Sequence, residues 1–498
     1  MEAEAITRDN KILSWVKDNW ILISIILIAL IIRIVFFDMT AMQGQASWWD
    51  SAEYLAQGSH YASGLPYEVN PQRPPAFQYM IAGLLSAGAN EAIIIFLLVL
   101  LPSVLVVYLV YLLSKMLLGK RSGLIAAFIT AVSWNFIFWS NRAQPDFLSI
   151  CFQLLAIIYF WKMIKANKES VIKLAALAGV FSALGFYFKI SALLIPLSFG
   201  IFIFIKDQFK AFKMKEYWIF LVSYLGALLP YFIWAYVTFG NIFAFSTGYS
   251  NAVGSSLPFG WATLTFFNVF GLNYMFYIFL VGMILFLRVF LYLDLMIKNK
   301  QTAVDYRLLI LIIIGVVLSF YVFYIRFIED RWVFILLPMM AIICAAVLDK
   351  IYLWSKGKDL KWVGIIIVVG LLGGMAYEQV NYGGEIIKLR TDSYIQVKEA
   401  SQWIKENSAS NDIVMSLSYP QTLFYSQRKV VTYSNMDVEE FEKYIEENHP
   451  TFLIVSIFEP FAQWVFEWSA NTENAIPVKA YYPTEDETNP VLIVYRLN

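Results

Sequence analysis

Two carboxylates stand three residues apart in Ser47-Trp48-Trp49-Asp50-Ser51-Ala52-Glu53-Tyr54-Leu55-Ala56-Gln57-Gly58. Ser47 fits a helix N-cap and no proline follows, so the spacing predicts a short helix. On that helix Asp50, Glu53, Tyr54 and Gln57 share one face. A carboxylate placed there can take a proton from an attacking hydroxyl. The plainer reading is the solvated polar face of an interfacial helix, with Trp48, Trp49 and Leu55 as anchors among lipid headgroups.

A second constellation is cationic. Asn70-Pro71-Gln72-Arg73-Pro74-Pro75 leads into the apolar stretch 76–88, which is too short to cross a bilayer and is expected to lie in its interface. Arg73 would stand at the start of that stretch, where a cation beside free backbone N–H groups suits a phosphate. Arg142 and Asp146 flank Pro145 in a turn that reads either as a salt-bridged cap or as part of a site. Lys189 interrupts an apolar run, and Arg331 closes Arg326-Phe327-Ile328-Glu329-Asp330-Arg331. His60 and His449 are the chain's two histidines, so a divalent metal has little to bind beyond a Glu53–His60 pair. Neither a P-loop nor a dinucleotide fingerprint is present.

These residues must be positioned by something, and composition says what. Of 498 residues, 59% are hydrophobic and 15% charged, against about 25% charged in soluble domains. The apolar residues fall in blocks that predict eleven membrane spans: 20–37, 93–113, 123–140, 147–164, 171–188, 190–205, 218–237, 264–287, 308–325, 332–348 and 362–377. The first is expected to be a retained span rather than a cleaved signal. With the N-terminus in the cytoplasm, the inner segments hold 22 Lys and Arg. The outer side, before the C-terminal domain, holds six: Arg33, Arg73, Arg142, Lys189, Arg326 and Arg331. The sign never reverses from loop to loop, as the positive-inside rule requires. Each of the six is expected near an outer helix end, where its stem can snorkel. Residues 38–92 form the first outer loop, and 238–263 another that could contact substrate. Lys+Arg and Asp+Glu are 37 each, so no charge excess points to a nucleic-acid partner.

From residue 385 charges return, and helical and strand-like segments alternate. Residues 385–498 therefore read as a small α/β domain outside the membrane. The fold class is a polytopic α-helical membrane protein, 1–380, carrying that domain.

The chain resembles the GT-C class of membrane glycosyltransferases, in particular the family of protein O-mannosyltransferases and the lipid A aminoarabinose transferase. The resemblance covers about residues 15–350 and rests on motifs in order. Asp50-Ser51-Ala52-Glu53-Tyr54 is similar to the family's acidic motif. Arg73-Pro74-Pro75 looks like its Lys-Pro-Pro, with Arg in place of Lys. Arg142-Ala143-Gln144-Pro145-Asp146 resembles its Arg-x-x-Pro-Asp turn. Lys189 matches a Lys after the fifth span, and Arg331 with Pro338 a late Arg and Pro. Gln72 stands where some relatives have a carboxylate, which weakens a metal site. The resemblance implies a polyprenyl-phosphate sugar as donor and a protein, lipid or glycan as acceptor, joined by inverting transfer at the outer face. Asp50 or Glu53 would be catalytic, with Arg73, Arg331 and Lys189 on the donor phosphate. Arg142, Asp146 and Tyr54 would support the site. The motifs name no cofactor, and they give a divalent metal only weak support. Short loops and no evident endoplasmic-reticulum signal lead us to expect the plasma membrane of a bacterium or archaeon. The alternatives are a transporter or flippase of a lipid-linked or organic anion, which should place polar residues through the membrane, and a non-catalytic assembly protein. Asp50 and Arg331 facing one cavity would disfavour both.

Overall fold

The computed structural model describes residues 2–246, 274–292, 305–326, 329–434, 436–460, 463–483 and 488–498. Most of the outer loop 238–263, and the first part of the eighth expected span, lie outside the described residues.

Among these residues, eight helices are long and apolar enough to cross a bilayer, and the apolar helices Val171–Phe186 and Met275–Leu291 are shorter. The order begins with α1 (Glu2–Phe37), then α2 (Trp49–Ser63), α3 (Ala76–Ser86) and α4 (Glu91–Leu118). Next come α5 (Lys120–Val132), α6 (Trp134–Trp139), α7 (Asp146–Lys165), α8 (Val171–Phe186), α9 (Leu194–Asp207) and α10 (Lys215–Phe239). The bundle is completed by α11 (Tyr274–Leu287), α12 (Tyr306–Ser319), α13 (Leu336–Lys356) and α14 (Lys361–Arg390). Exposed stripes such as Ile93, Leu97, Leu101 and Leu105 on α4 recur every four residues and mark a lipid-facing side.

The expected span 123–140 is not one helix. It breaks at Ser133, whose ψ of 124° is extended, and Trp134 N there donates to the buried Gln379 side chain at 3.1 Å. The last span does not stop at 377. It continues as one helix to Arg390 and delivers the chain directly to the C-terminal domain.

That domain begins with α15 (Ile395–Asn407) and contains α16 (Tyr419–Ser426), α17 (Val438–Asn448) and α18 (Trp464–Asn471). Its strands are β1 (Ile413–Ser416), β2 (Lys429–Val431), β3 (Phe452–Ser456), β4 (Ala475–Tyr481) and β5 (Leu492–Leu497), in the order β2-β1-β3-β5-β4. β2, β1 and β3 are parallel, and β5 runs antiparallel between β3 and β4. Alternation along the strands splits the core in two. Val414, Phe452, Ile454 and Val494 face α15, while Met415, Leu453, Val455 and Tyr495 face Phe441 of α17. Asp437 caps α17 in a reciprocal capping box with Glu440. The first of these cores also takes in Ala56 of α2. The helix carrying the two carboxylates is thus packed into the C-terminal domain on one side and against α3 on the other. Gly58 makes the second contact possible, because a Cβ there would stand 2.3 Å from Ile81.

Candidate active site

The helix predicted from Ser47 forms, but Ser47 is not its cap. The N-cap is Trp48, without a side-chain hydrogen bond, and Ser47 Oγ instead donates to Glu91 at 2.6 Å. The predicted face is real but not solvated. Glu53, Tyr54 and Gln57 are buried, and so is Leu55, which therefore anchors nothing in lipid. Trp48 lies under Arg142, and Trp49 is exposed. α2 ends at Gly64, whose φ of 73° turns the chain into the loop that carries Arg73.

Arg73 is not left facing solvent at the start of α3. Its guanidinium turns back onto α2, with NH2 2.7 Å from both Asp50 Oδ1 and Glu53 Oε2. Its Nε donates to Glu53 at 3.0 Å and NH1 to the Tyr54 hydroxyl at 3.3 Å. Asn70 Nδ2 donates to the other Glu53 oxygen at 2.5 Å. Arg331, brought in from the turn Asp330–Val333, donates to Asp50 Oδ2 and, through Nε, to Glu329 at 2.8 Å. Lys189 pairs with Asp146 and reaches the Arg331 carbonyl at 3.1 Å. Asp50, Glu53, Tyr54, Arg73, Asp146, Lys189 and Arg331 therefore form one connected network, drawn from four separate connections of the chain.

The two carboxylates are not equivalent. Glu53 has a side chain 9% exposed, with both oxygens bonded. Asp50 is 27% exposed, so an incoming molecule can reach it. Burial pushes its carboxyl up, but Arg73 and Arg331 outweigh that and hold it at about 2. Burial lowers Arg331, while Glu329, Asp50 and Asp146 more than restore it, so it stays charged. Burial is also the main reason Tyr54 is pushed up to about 12.

Two further expectations change. Arg142 and Asp146 are not a salt-bridged cap, since Asp146 pairs with Lys189. Arg33 does not snorkel. It is fully buried, donating to Ser103 Oγ at 2.8 Å and to the Ala29 and Ala131 carbonyls at 3.0 and 2.9 Å. A Glu53–His60 metal pair does not form, because His60 Nδ1 meets the Leu65 carbonyl at 2.6 Å. Among the described residues no group of three or more His, Cys, Asp and Glu could hold a metal. Two guanidiniums on Asp50 and Glu53 also oppose a cation there, so the residues do not fit one.

Sequence reasoning overlooked Asn70, Glu329, Asp330 and Arg390. Asp330 accepts from Trp139 Nε1 at 2.7 Å, and burial raises its carboxyl. An apolar groove of about 450 Å³ lies between α9 and α10, starting at Leu193, four residues beyond Lys189. The larger cleft, about 950 Å³, is behind α2 at Ser59 and Ser63, on the face opposite Asp50.

Residues 72–235 match the family model described as Dolichyl-phosphate-mannose-protein mannosyltransferase. The chain superposes on ArnT from Cupriavidus metallidurans bound to undecaprenyl phosphate, with TM-score 0.65 at 12% identity, over 96% of this chain and 98% of that one. In fold, the chain resembles these membrane proteins of the GT-C class. AglB, the archaeal oligosaccharyltransferase of Archaeoglobus fulgidus, in complex with an inhibitory peptide and a dolichol-phosphate, gives TM-score 0.62 at 14% identity, over 89% of this chain and 70% of that one. The arabinofuranosyltransferase AftD from Mycobacteria gives 0.55 at 11%, over 95% of this chain but 41% of that larger one. No curated protein matches by sequence.

Proposed function

We propose that this chain is a GT-C glycosyltransferase, which transfers a sugar from a polyprenyl-phosphate donor to a hydroxyl acceptor at the outer face of the membrane, with inversion. The observation that carries the reading is Asp50, with one oxygen on Arg73 and the other on Arg331. A base for the acceptor and two cations for the leaving phosphate thus meet at one accessible atom group. The acceptor oxygen bonds the anomeric carbon as the carbon–oxygen bond to phosphate breaks. The proton passes to Asp50, and polyprenyl phosphate leaves with the electron pair. Arg73 and Arg331 stabilise that charge, and Lys189 supports Arg331 from behind.

A consequence follows for the base. At about 2, Asp50 is a weak proton acceptor in the unliganded chain. A donor phosphate competes for the same two guanidiniums, so its arrival loosens them from Asp50. The carboxylate then becomes more basic as the reacting groups assemble. The donor's prenyl chain would follow the apolar groove between α9 and α10, which is lined by Leu193, Leu197, Phe204 and Phe220. The clustering of charges at one end of the bundle, rather than through it, favours this over transport.

The test is transfer of radiolabelled sugar from a panel of polyprenyl-phosphate sugars by purified protein, with native lipid extract as acceptor source. Consumption of one donor is expected. A folded protein in lipid that consumes none would shift the reading to transport.

A further inference from the structure

The Arg331 guanidinium is met from three sides. Glu329 accepts from its Nε at 2.8 Å, and Asp50 accepts from NH2. The third side is the Trp139 ring, whose centroid lies 5.1 Å from the guanidinium carbon. An aromatic face sets the plane of a guanidinium, but only if the ring is itself held. Trp139 is buried, and Trp48 and Phe138 meet it edge to face at 6.3 and 5.1 Å. Its one polar atom, Nε1, donates to Asp330 Oδ2 at 2.7 Å. Asp330 directly precedes Arg331, so one turn supplies both the arginine and the carboxylate that fixes the ring under it.

The partners of Asp330 come from one helix. Asn135, one turn before Trp139 on α6, donates to the same oxygen at 3.4 Å. Phe136 of α6 packs on Phe334, just beyond the turn, at 5.2 Å. Among the described residues no cation lies within ion-pair distance of Asp330, although Arg142 feels its charge. A carboxylate drawn from water is costly unless its oxygens are bonded, and here the bonds go to Trp139 and Asn135.

We propose that Asp330 is a positioning residue for the transfer, acting through Trp139 to hold the plane of Arg331 while the partner of Arg331 changes. The proposal rests on the glycosyl-transfer reading above. In that reading a donor phosphate draws NH2 away from Asp50. The Glu329 bond and the Trp139 face stay in place, so only the NH2 end changes partner. Without the bond from Asp330 the indole can turn, and the guanidinium loses the surface that aims it.

The experiment is equilibrium binding of radiolabelled geranylgeranyl phosphate to the full-length protein in detergent. This probe carries the charge that the leaving group acquires. Trp139→Phe keeps a ring and loses the N–H; Asp330→Leu keeps bulk and loses the acceptor. Each should weaken binding about tenfold, while Asp330→Asn, which keeps an acceptor oxygen, should stay within about threefold of wild type. In an Arg331→Gln background Trp139→Phe should add no further loss, because the ring acts through that arginine. Asp330→Asn as damaging as Asp330→Leu would assign the effect to charge rather than to the bond and overturn the proposal. A full loss from Trp139→Phe on top of Arg331→Gln would overturn it too. If the wild type binds no prenyl phosphate, the donor reading fails, and the cycle is read on the thermal midpoint instead. Arg331→Gln should then lower the midpoint less in Trp139→Phe than in the wild type, and equal drops would overturn the positioning role.

Discussion

Asp50 and Glu53 differ in what surrounds them, and the difference assigns their roles. Glu53, buried and bonded by Asn70 and Arg73, holds the arginine in place; Asp50 faces the open side. Glu53→Gln is therefore expected to reduce donor binding through a looser Arg73 while leaving residual turnover, measured as a larger rise in KM than fall in kcat. Arg331→Gln removes a contact strengthened by the leaving charge, and kcat should fall about 10²–10³-fold. The pH dependence follows from the sign of the Asp50 shift. Its carboxyl is depressed to about 2, so in the free protein it stays ionised throughout the neutral range. kcat/KM, which reports free-enzyme groups, should show no acid limb from Asp50 between about pH 5 and 8. kcat reports the bound complex, in which the donor draws the arginines away, so its acid limb should lie higher. Identical acid limbs in the two profiles would contradict the hand-over of arginines from carboxylate to phosphate.

At the scale of elements, α2 is held from both sides, and each hold can be tested. Tyr425 of α16 accepts from Ser47 N at 2.7 Å and donates to Glu91, fixing the chain just before α2. Tyr425→Phe leaves Glu91 and Ser47 short of a partner and should cost about 1–3 kcal/mol of stability by thermal unfolding. The groove offers a cleaner probe. A Cβ at Gly200, which lines the groove, meets nothing within 4 Å, so Gly200→Leu starts a side chain there without a clash at its Cβ. It should raise KM about tenfold for a long-chain donor and little for a short-chain one, since each displaced methylene forfeits about 0.8 kcal/mol. Equal effects on both donors would remove the prenyl chain from the groove. The acidic helix was legible because Asp50, Glu53 and Tyr54 announce their shared face through spacing alone. Apolar length marked the spans. What spacing could not carry was pairing across the fold. That Lys189 answers Asp146 rather than leaving it to Arg142, or that Arg390 returns to Trp48, depends on contacts between residues tens to hundreds of positions apart. Ser133 looked like one more residue in an apolar block, although the chain breaks there onto Gln379. Arg33 was misplaced because hydropathy cannot distinguish a cation at a helix end from one held inside by Ser103 and two carbonyls.

At the scale of the whole molecule, a membrane bundle with its charged network at one end carries a domain that braces the acidic helix through Ala56 and Tyr425. We expect that end, with the C-terminal domain, to face outward. Both native cysteines are buried, so introduced ones can report sidedness. A membrane-impermeant maleimide on intact cells should label Lys443→Cys and spare Lys120→Cys; the reverse pattern would invert the topology. The central claim is that Asp50 accepts the acceptor's proton during transfer from a lipid-phosphate sugar. It is tested most directly by single-turnover sugar transfer, comparing wild type with Asp50→Asn after both are shown to bind donor. The account expects transfer in the variant to fall by about 10²–10⁴-fold with donor binding retained. Transfer within about threefold of wild type, well short of the loss a positioned base causes, would contradict it.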